Sequence, residues 1–377
     1  MKETIYDIAI IGGGLAGLTL SIKLAKCGRR VILFEKEQYP FHKVCGEYIS
    51  MESWDYLQSL GLPLEDMDLP VIKKLLISSP AGDTLVADLP LGGFGISRYK
   101  IDAELKKIAL LENVILLENC KVENAVFKND MFLIQTPGGI FKSKVCCGSF
   151  GKRSNIDLKW SRSFVNKKNN KLNNYIGVKY HIETNADEQT IQLHNFKDGY
   201  CGLSKIEDNK YCLCYLTNAH NLKESGSIEK MEEHILSANP FLKNIFSNSI
   251  RLYSKPLTIS HISFDKKNKV ENHVLLTGDA AGMITPLCGN GMSMAIHAGK
   301  LAADIINQFL DKKITREEME KNYTRSWNIQ FENRLRTGRM IQRFFGRTWL
   351  SNIFIRTMKK LPGLTNRIIK STHGERF

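Results

Sequence analysis

Ile5-Tyr6-Asp7-Ile8-Ala9-Ile10-Ile11-Gly12-Gly13-Gly14-Leu15-Ala16-Gly17 is the stretch that decides the fold. Residues 5–11 read as a strand buried on both faces, and the chain turns through G-x-G-x-x-G into a helical stretch, Leu15 to Cys27, that stops at Gly28. Val31–Phe34 is a second short apolar strand and ends at Glu35. Gly12 allows a tight turn, Gly14 lets a pyrophosphate approach the backbone, and Gly17 lets helix and strand pack closely. The helix start, at Leu15 and Ala16, offers unpaired N–H groups to phosphate. Glu35 and its neighbour Lys36 stand where ribose is held, and an acid at 35 suits an unphosphorylated ribose, hence FAD or NAD.

Working outward, 377 residues suggest two domains. Hydrophobic residues make up 43% and charged residues 24%, which excludes disordered and fibrous classes. The net charge of +14 is uneven: residues 334–377 carry eleven Lys/Arg and one acid, Glu375, whereas residues 1–333 carry 42 basic against 38 acidic residues. A nearly neutral body with a basic tail argues against a nucleic-acid groove. Nine cysteines include no C-x-x-C pair, and the first apolar run follows an acid and ends in glycines rather than a cleavage site. A reducing, cytoplasmic setting with free thiols and no metal is expected.

A second motif lies far downstream. Val274–Thr277 reads as a strand, followed by Gly278-Asp279-Ala280-Ala281-Gly282, then Pro286-Leu287-Cys288-Gly289-Asn290-Gly291-Met292 and a helix to about Leu310. With these two motifs the chain resembles the flavoprotein superfamily of aromatic-ring monooxygenases and geranylgeranyl reductases. The resemblance covers residues 1–330. It implies that Asp279 holds the ribityl chain of FAD and that Pro286, Gly289, Asn290, Gly291 and Met292 lie along the isoalloxazine, where a helix start stabilises reduced-flavin charge. It also implies that Arg98, in Ser97-Arg98-Tyr99-Lys100-Ile101-Asp102, reaches FAD, and that the backbone at Val122 meets adenine. The family's D-G-x-x-S-x-x-R motif corresponds to Cys147-Gly148-Ser149-Phe150-Gly151-Lys152-Arg153-Ser154, with the Asp replaced by Cys147, which puts direct NADPH docking in doubt. NADPH or NADH remains the expected electron donor.

Lys43-Val44-Cys45-Gly46-Glu47 is similar to a loop of the geranylgeranyl reductases that sits beside the flavin. Lys43 and Cys45 would border the cofactor, and Cys45 either donates a proton or fills space. Glu47 and His42 are the nearest titratable candidates for acid–base work. Asp198–Ile206 occupies the place of the reductases' G-Y-x-W-x-F-P segment, but Gly202 and Ser204 leave room where the reductases have bulk. Cys212 and Cys214 share one strand face, and their plain reading is packing.

The expected architecture is α/β. A discontinuous Rossmann-type FAD-binding domain (1–67, 96–171 and 263–321) carries an inserted antiparallel-sheet substrate domain (68–95 and 172–262). A helical tail (322–377) follows, breaking at Pro362-Gly363. Its apolar residues, among them Met340, Ile341, Trp349, Ile353, Phe354 and Ile355, alternate with Arg347, Arg356, Lys359 and Lys360, a pattern suited to an anionic membrane surface. The leading expectation is an FAD-dependent monooxygenase of a lipophilic phenolic or isoprenoid-like intermediate, peripheral on the inner face of the membrane. The alternatives are a reductase of isoprenoid C=C bonds and a non-catalytic membrane-associated flavoprotein.

Overall fold

The computed structural model describes residues 4–165, 173–283, 289–344, 347–372 and 374–377. Its strands are β1 (Ile5–Ile11), β2 (Val31–Phe34), β3 (Tyr48–Ser50), β4 (Val71–Ser78), β5 (Thr84–Gly95), β6 (Ile115–Leu117), β7 (Asn124–Lys128), β8 (Met131–Thr136), β9 (Gly139–Gly148), β10 (Asn173–Glu183), β11 (Thr190–Phe196), β12 (Gly199–Lys205), β13 (Tyr211–Asn218), β14 (Ile250–Arg251), β15 (Leu257–Ser263), β16 (Val270–Glu271) and β17 (Val274–Leu276). The helices are α1 (Leu15–Lys26), α2 (Trp54–Ser59), α3 (Arg98–Leu111), α4 (Asn155–Lys159), α5 (Ala219–Ser225), α6 (Ile228–His234), α7 (Pro240–Asn248), α8 (Gly291–Leu310), α9 (Arg316–Phe344), α10 (Thr348–Lys360) and α11 (Pro362–Thr372).

The first sheet runs β16-β17-β9-β1-β2-β6, with the β7–β8 hairpin on β9. Its centre, β17-β9-β1-β2-β6, is parallel. Ile8, Ala9, Ile10 and Ile11 are all buried, as a central parallel strand covered on both faces requires. Helices α1 and α8, each following a glycine-rich turn, pack together on this sheet. The strand, turn, helix and strand read from residues 5–35 stand where the sequence places them.

The second sheet runs β14-β10-β13-β12-β11-β4-β5-β3, with β15 on β10. It is mostly antiparallel, but β4 and β11 pair in parallel, so the expected antiparallel layer has one parallel seam. It also takes in β3, the three residues after Glu47, which pair with β5.

The basic tail departs most from expectation. The tail helices break at Leu361, one residue before the expected Pro362-Gly363, and Pro362 opens α11, a position proline tolerates because the N–H it lacks would be unpaired anyway. Ile341, Ile355, Met358 and Ile369 are buried, so part of the tail's apolar set is core. Among the described residues no helix is long and apolar enough to cross a membrane, and the described cysteines form no disulfide.

Candidate functional site

The glycines of the first turn divide by purpose. A Cβ on Gly12, whose φ is +104°, would lie 2.5 Å from the Ser149 carbonyl oxygen, and one on Gly17 would lie 2.0 Å from the Gly12 carbonyl oxygen. Both serve close packing. A Cβ on Gly14 would find nothing nearer than Arg98 Nη2 at 3.7 Å, so this side of the turn is open. Gly14 caps α1 without a side-chain hydrogen bond, which leaves the first-turn N–H groups at Leu15 and Ala16 for a ligand. Glu35 is buried, and its carboxylate accepts from Gly13 N at 2.9 Å and Glu37 N at 3.2 Å, keeping lone pairs for hydroxyls. Val122 is buried. Lys36 instead extends into solvent and pairs with Glu37.

Arg98 begins α3 and is clasped by the buried Asp102 at 3.0 and 2.8 Å, and Lys43 Nζ joins the same carboxylate at 2.9 Å. Burial works to raise the Asp102 pKa, but the two cations outweigh it and hold it below the usual range. Asp102 therefore fixes Arg98 beside the open face of Gly14.

The second motif packs on the first, since a Cβ at Gly278 would lie 3.2 Å from Ala16 Cβ. Asp279 is half-buried at this turn. Three successive carbonyls behind it are each held by a different cation: Asp279 O by Lys267 at 2.8 Å, Ala280 O by Arg162 at 3.1 Å, and Ala281 O by Lys269 at 3.0 Å. Burial pulls both lysines down to about 8. Pro286 and Cys288 lie outside the described residues. Gly289 has φ +64° and packs on the Tyr48 ring. Asn290 donates from its side chain to Thr372 O at 3.1 Å, and Met292 is buried in the core, so with Gly291 they offer a ligand backbone N–H groups. An open glycine turn, an uncapped helix start and a buried ribose-type acceptor fit the phosphates and ribose of FAD, which Arg98 and Asp279 would flank.

The loop at 43–47 is pinned from the second sheet. Lys179 Nζ donates to Lys43 O at 3.2 Å, Cys212 Sγ to Cys45 O at 3.2 Å, and Ser204 Oγ to Gly46 O at 2.9 Å. Glu47, at φ +56° and fully buried, accepts from Lys179 Nζ at 2.5 Å and Arg98 N at 2.7 Å, and pairs with His181 Nε2 at 2.6 Å. Burial would raise its pKa, but the His181 contact and the Lys179 charge hold it below the carboxylate range. Glu47 is thus held as an anion, paired on both carboxylate oxygens. Glu47, His181 and Cys212 place ligand atoms within 4.8 Å of one another, but the Lys179 ammonium already fills the place of a cation.

His42 stacks on Tyr99 with centroids 4.7 Å apart and meets the rings of His181 and Tyr253. Burial, then the charges of Lys179 and His181, lower its pKa. It is therefore less isolated than a lone surface histidine. Lys179 and His181 were not singled out from the sequence. Their signal is two polar residues at i and i+2 on one face of a strand, β10, whose other buried positions are apolar.

Between β4, β5 and β11 on one side and α9–α11 on the other lies an apolar pocket. Leu75, Ile77, Leu193, Phe354, Met358 and Ile368 are among its walls, and Tyr48 and Gly289 also line it. The Tyr48 hydroxyl is buried with no hydrogen-bond partner among the described residues.

Residues 7–43 match the family model described as FAD binding domain. Fold and match agree on a nucleotide-binding half of the FAD-binding type. It is 25% identical to Conditioned medium factor receptor 1 of Dictyostelium discoideum over 87% of this chain and 68% of that protein. It is also 25% identical to digeranylgeranylglycerophospholipid reductase of Methanococcus vannielii, over 86% of this chain and 83% of that enzyme. The solved structure of the flavin-dependent brominase Bmp2 shares the fold, with a TM-score of 0.79 at 21% identity over 98% of this chain and 93% of that one.

Proposed function

We propose that this chain is an FAD-dependent monooxygenase of a lipophilic phenol whose apolar part lies in the cavity between the second sheet and α9–α11. One observation carries this reading: Tyr48, packed against the Gly289 turn, lines a mostly apolar pocket, and its buried hydroxyl has no hydrogen-bond partner among the described residues. An unpaired buried hydroxyl is costly, and a substrate hydroxyl at that place would relieve it. Burial raises the Tyr48 pKa, so the phenol stays protonated and can donate. FAD, when bound and reduced, supplies O₂ activation and transfer of one oxygen atom. The chain's own residues supply the rest. Leu75, Ile77, Leu193 and Phe354 exclude water, Tyr48 orients the substrate oxygen, and Lys267, Arg162 and Lys269 hold the second flavin motif from behind. We take NADH or NADPH as the reductant.

Reduction of an isoprenoid C=C bond is the second reading. The mostly aliphatic lining of the pocket favours it, as do Cys45 on its pinned loop and the named activity of the reductase relative. The two are separated by incubating flavin-loaded protein with reductant, air and alkylated phenols or polyprenyl lipids. A product one oxygen heavier supports monooxygenation, a product two hydrogens heavier supports reduction, and a flavin-loaded protein that alters neither pool refutes both.

A further inference from the structure

Helix α10 has two apolar faces, and only one is used inside the protein. Phe354 and Met358 line the cavity, and Ile355 is fully buried. On the opposite side Trp349, Ile353, Arg356 and Lys360 recur at helical spacing, and Trp349 and Ile353 are 63% and 54% exposed. Leu361 and Leu364, just beyond, are 47% and 44% exposed, and Met340 on the preceding helix 51%. A monomer rarely leaves large side chains in such a row uncovered. Around them stand Arg347, Lys359, Lys360, Arg367 and Lys370, all exposed, in a segment that carries +10. Arg356 also pairs with Asp83, which ties this face to the β4–β5 turn.

We infer that the outer face of α10 and the start of α11 form a docking surface for an anionic lipid monolayer, with Trp349, Ile353, Leu361 and Leu364 entering the acyl boundary and the basic residues meeting the headgroups. Charge complementarity selects this partner. A second copy would bring the same +10 against itself, whereas a Trp and aliphatic row edged by Lys and Arg matches an interfacial helix. Because the inner face of the same helix roofs the apolar cavity, a docked chain sets that cavity one helix thickness from the lipid. The inference goes beyond the reaction and holds for either substrate reading.

The test uses the full chain loaded with FAD and phosphatidylcholine vesicles with and without phosphatidylglycerol. The chain should sediment only with the anionic vesicles. At about a fivefold loss for each basic residue, Lys359→Gln with Lys360→Gln should weaken binding roughly thirtyfold. Trp349→Ser with Ile353→Ser should weaken it about tenfold or more. Both pairs keep Phe354 and Met358, and an unchanged flavin spectrum and melting temperature certify the fold. If the serine pair does not fold, quenching of tryptophan fluorescence by brominated lipid, lost in Trp349→Phe, decides instead. The inference is overturned by a chain that ignores anionic vesicles, or by a serine pair that binds as tightly as the parent, which would mean contact with any polyanion. A stable dimer that the serine pair dissolves would also overturn it. Vesicle binding needs no turnover, so a failure here leaves the oxygenation assay untouched, and the reverse holds.

Discussion

Replacing Lys179 by methionine probes the centre of the molecule. The ammonium lies 2.5 Å from Glu47 Oε1, and both side chains are fully buried. Lys179→Met leaves the Glu47 carboxylate with His181 and the Arg98 N–H alone and also frees the Lys43 carbonyl. Breaking a buried pair from one side costs on the order of 3–5 kcal/mol. With unfolding entropy of about 2.1 cal/mol/K per residue, a chain of 377 residues has roughly 0.8 kcal/mol/K, so the melting temperature should fall by about 4–6 °C. Glu47→Gln alone should cost a similar amount by stranding Lys179. The pair Glu47→Gln with Lys179→Met should recover most of the loss, with a coupling above about 1 kcal/mol. The Glu47 pKa lies below its unfolded value, so its pairing stabilises the fold above the unfolded pKa near 4.5 and the benefit is lost as pH falls through the folded value. Thermal unfolding by circular dichroism at saturating FAD reads all three variants. A Lys179→Met protein melting within about 1 °C of the parent, or strictly additive variants, would refute the account of a locked buried pair.

Gly17→Ala, whose methyl would sit 2.0 Å from the Gly12 carbonyl oxygen, should not fold into a flavin-binding protein, whereas Gly14→Ala has room to fold and should lose FAD affinity by filling the open face; flavin absorbance per chain distinguishes them. Leu193→Trp places a ring into the apolar pocket and should abolish turnover while leaving FAD occupancy intact, measured as product against bound flavin. His194 is buried between Ser78 and Gln192, and burial lowers its pKa to about 4. Its folded pKa is depressed, so its contribution is present above pH 6.5 and lost as pH falls towards 4, a loss of about 3 kcal/mol readable as a falling urea midpoint.

How far the sequence could be read depended on the range of the interactions. The turn at 12–17 and its flanking strands are local, and each glycine has a steric reason visible within a few residues. Lys179 and His181 meet Glu47 only once β10 and β13 align in register and the 43–47 loop folds against them. No short window of sequence encodes that distance. The parallel seam of β4 with β11 joins strands more than a hundred residues apart and escaped for the same reason. The tail's apolar residues were evident as a set, but α10 turns Ile355 inward and Ile353 outward, and a pattern of apolar and basic residues does not say which stripe meets protein.

The position of β3 has a consequence for how such a protein changes over time. Glu47 ends the loop beside the first sheet, and Tyr48–Ser50 at once become an edge of the second. Ser204, Cys212 and Lys179, all on the second sheet, clamp the carbonyls of that loop. The apolar pocket and the loop before β3 therefore share one mechanical frame. A substitution that reshapes the chamber for a new ligand pulls on the loop, and recombining a foreign second sheet with this nucleotide-binding half would have to restore those clamps before either half could work.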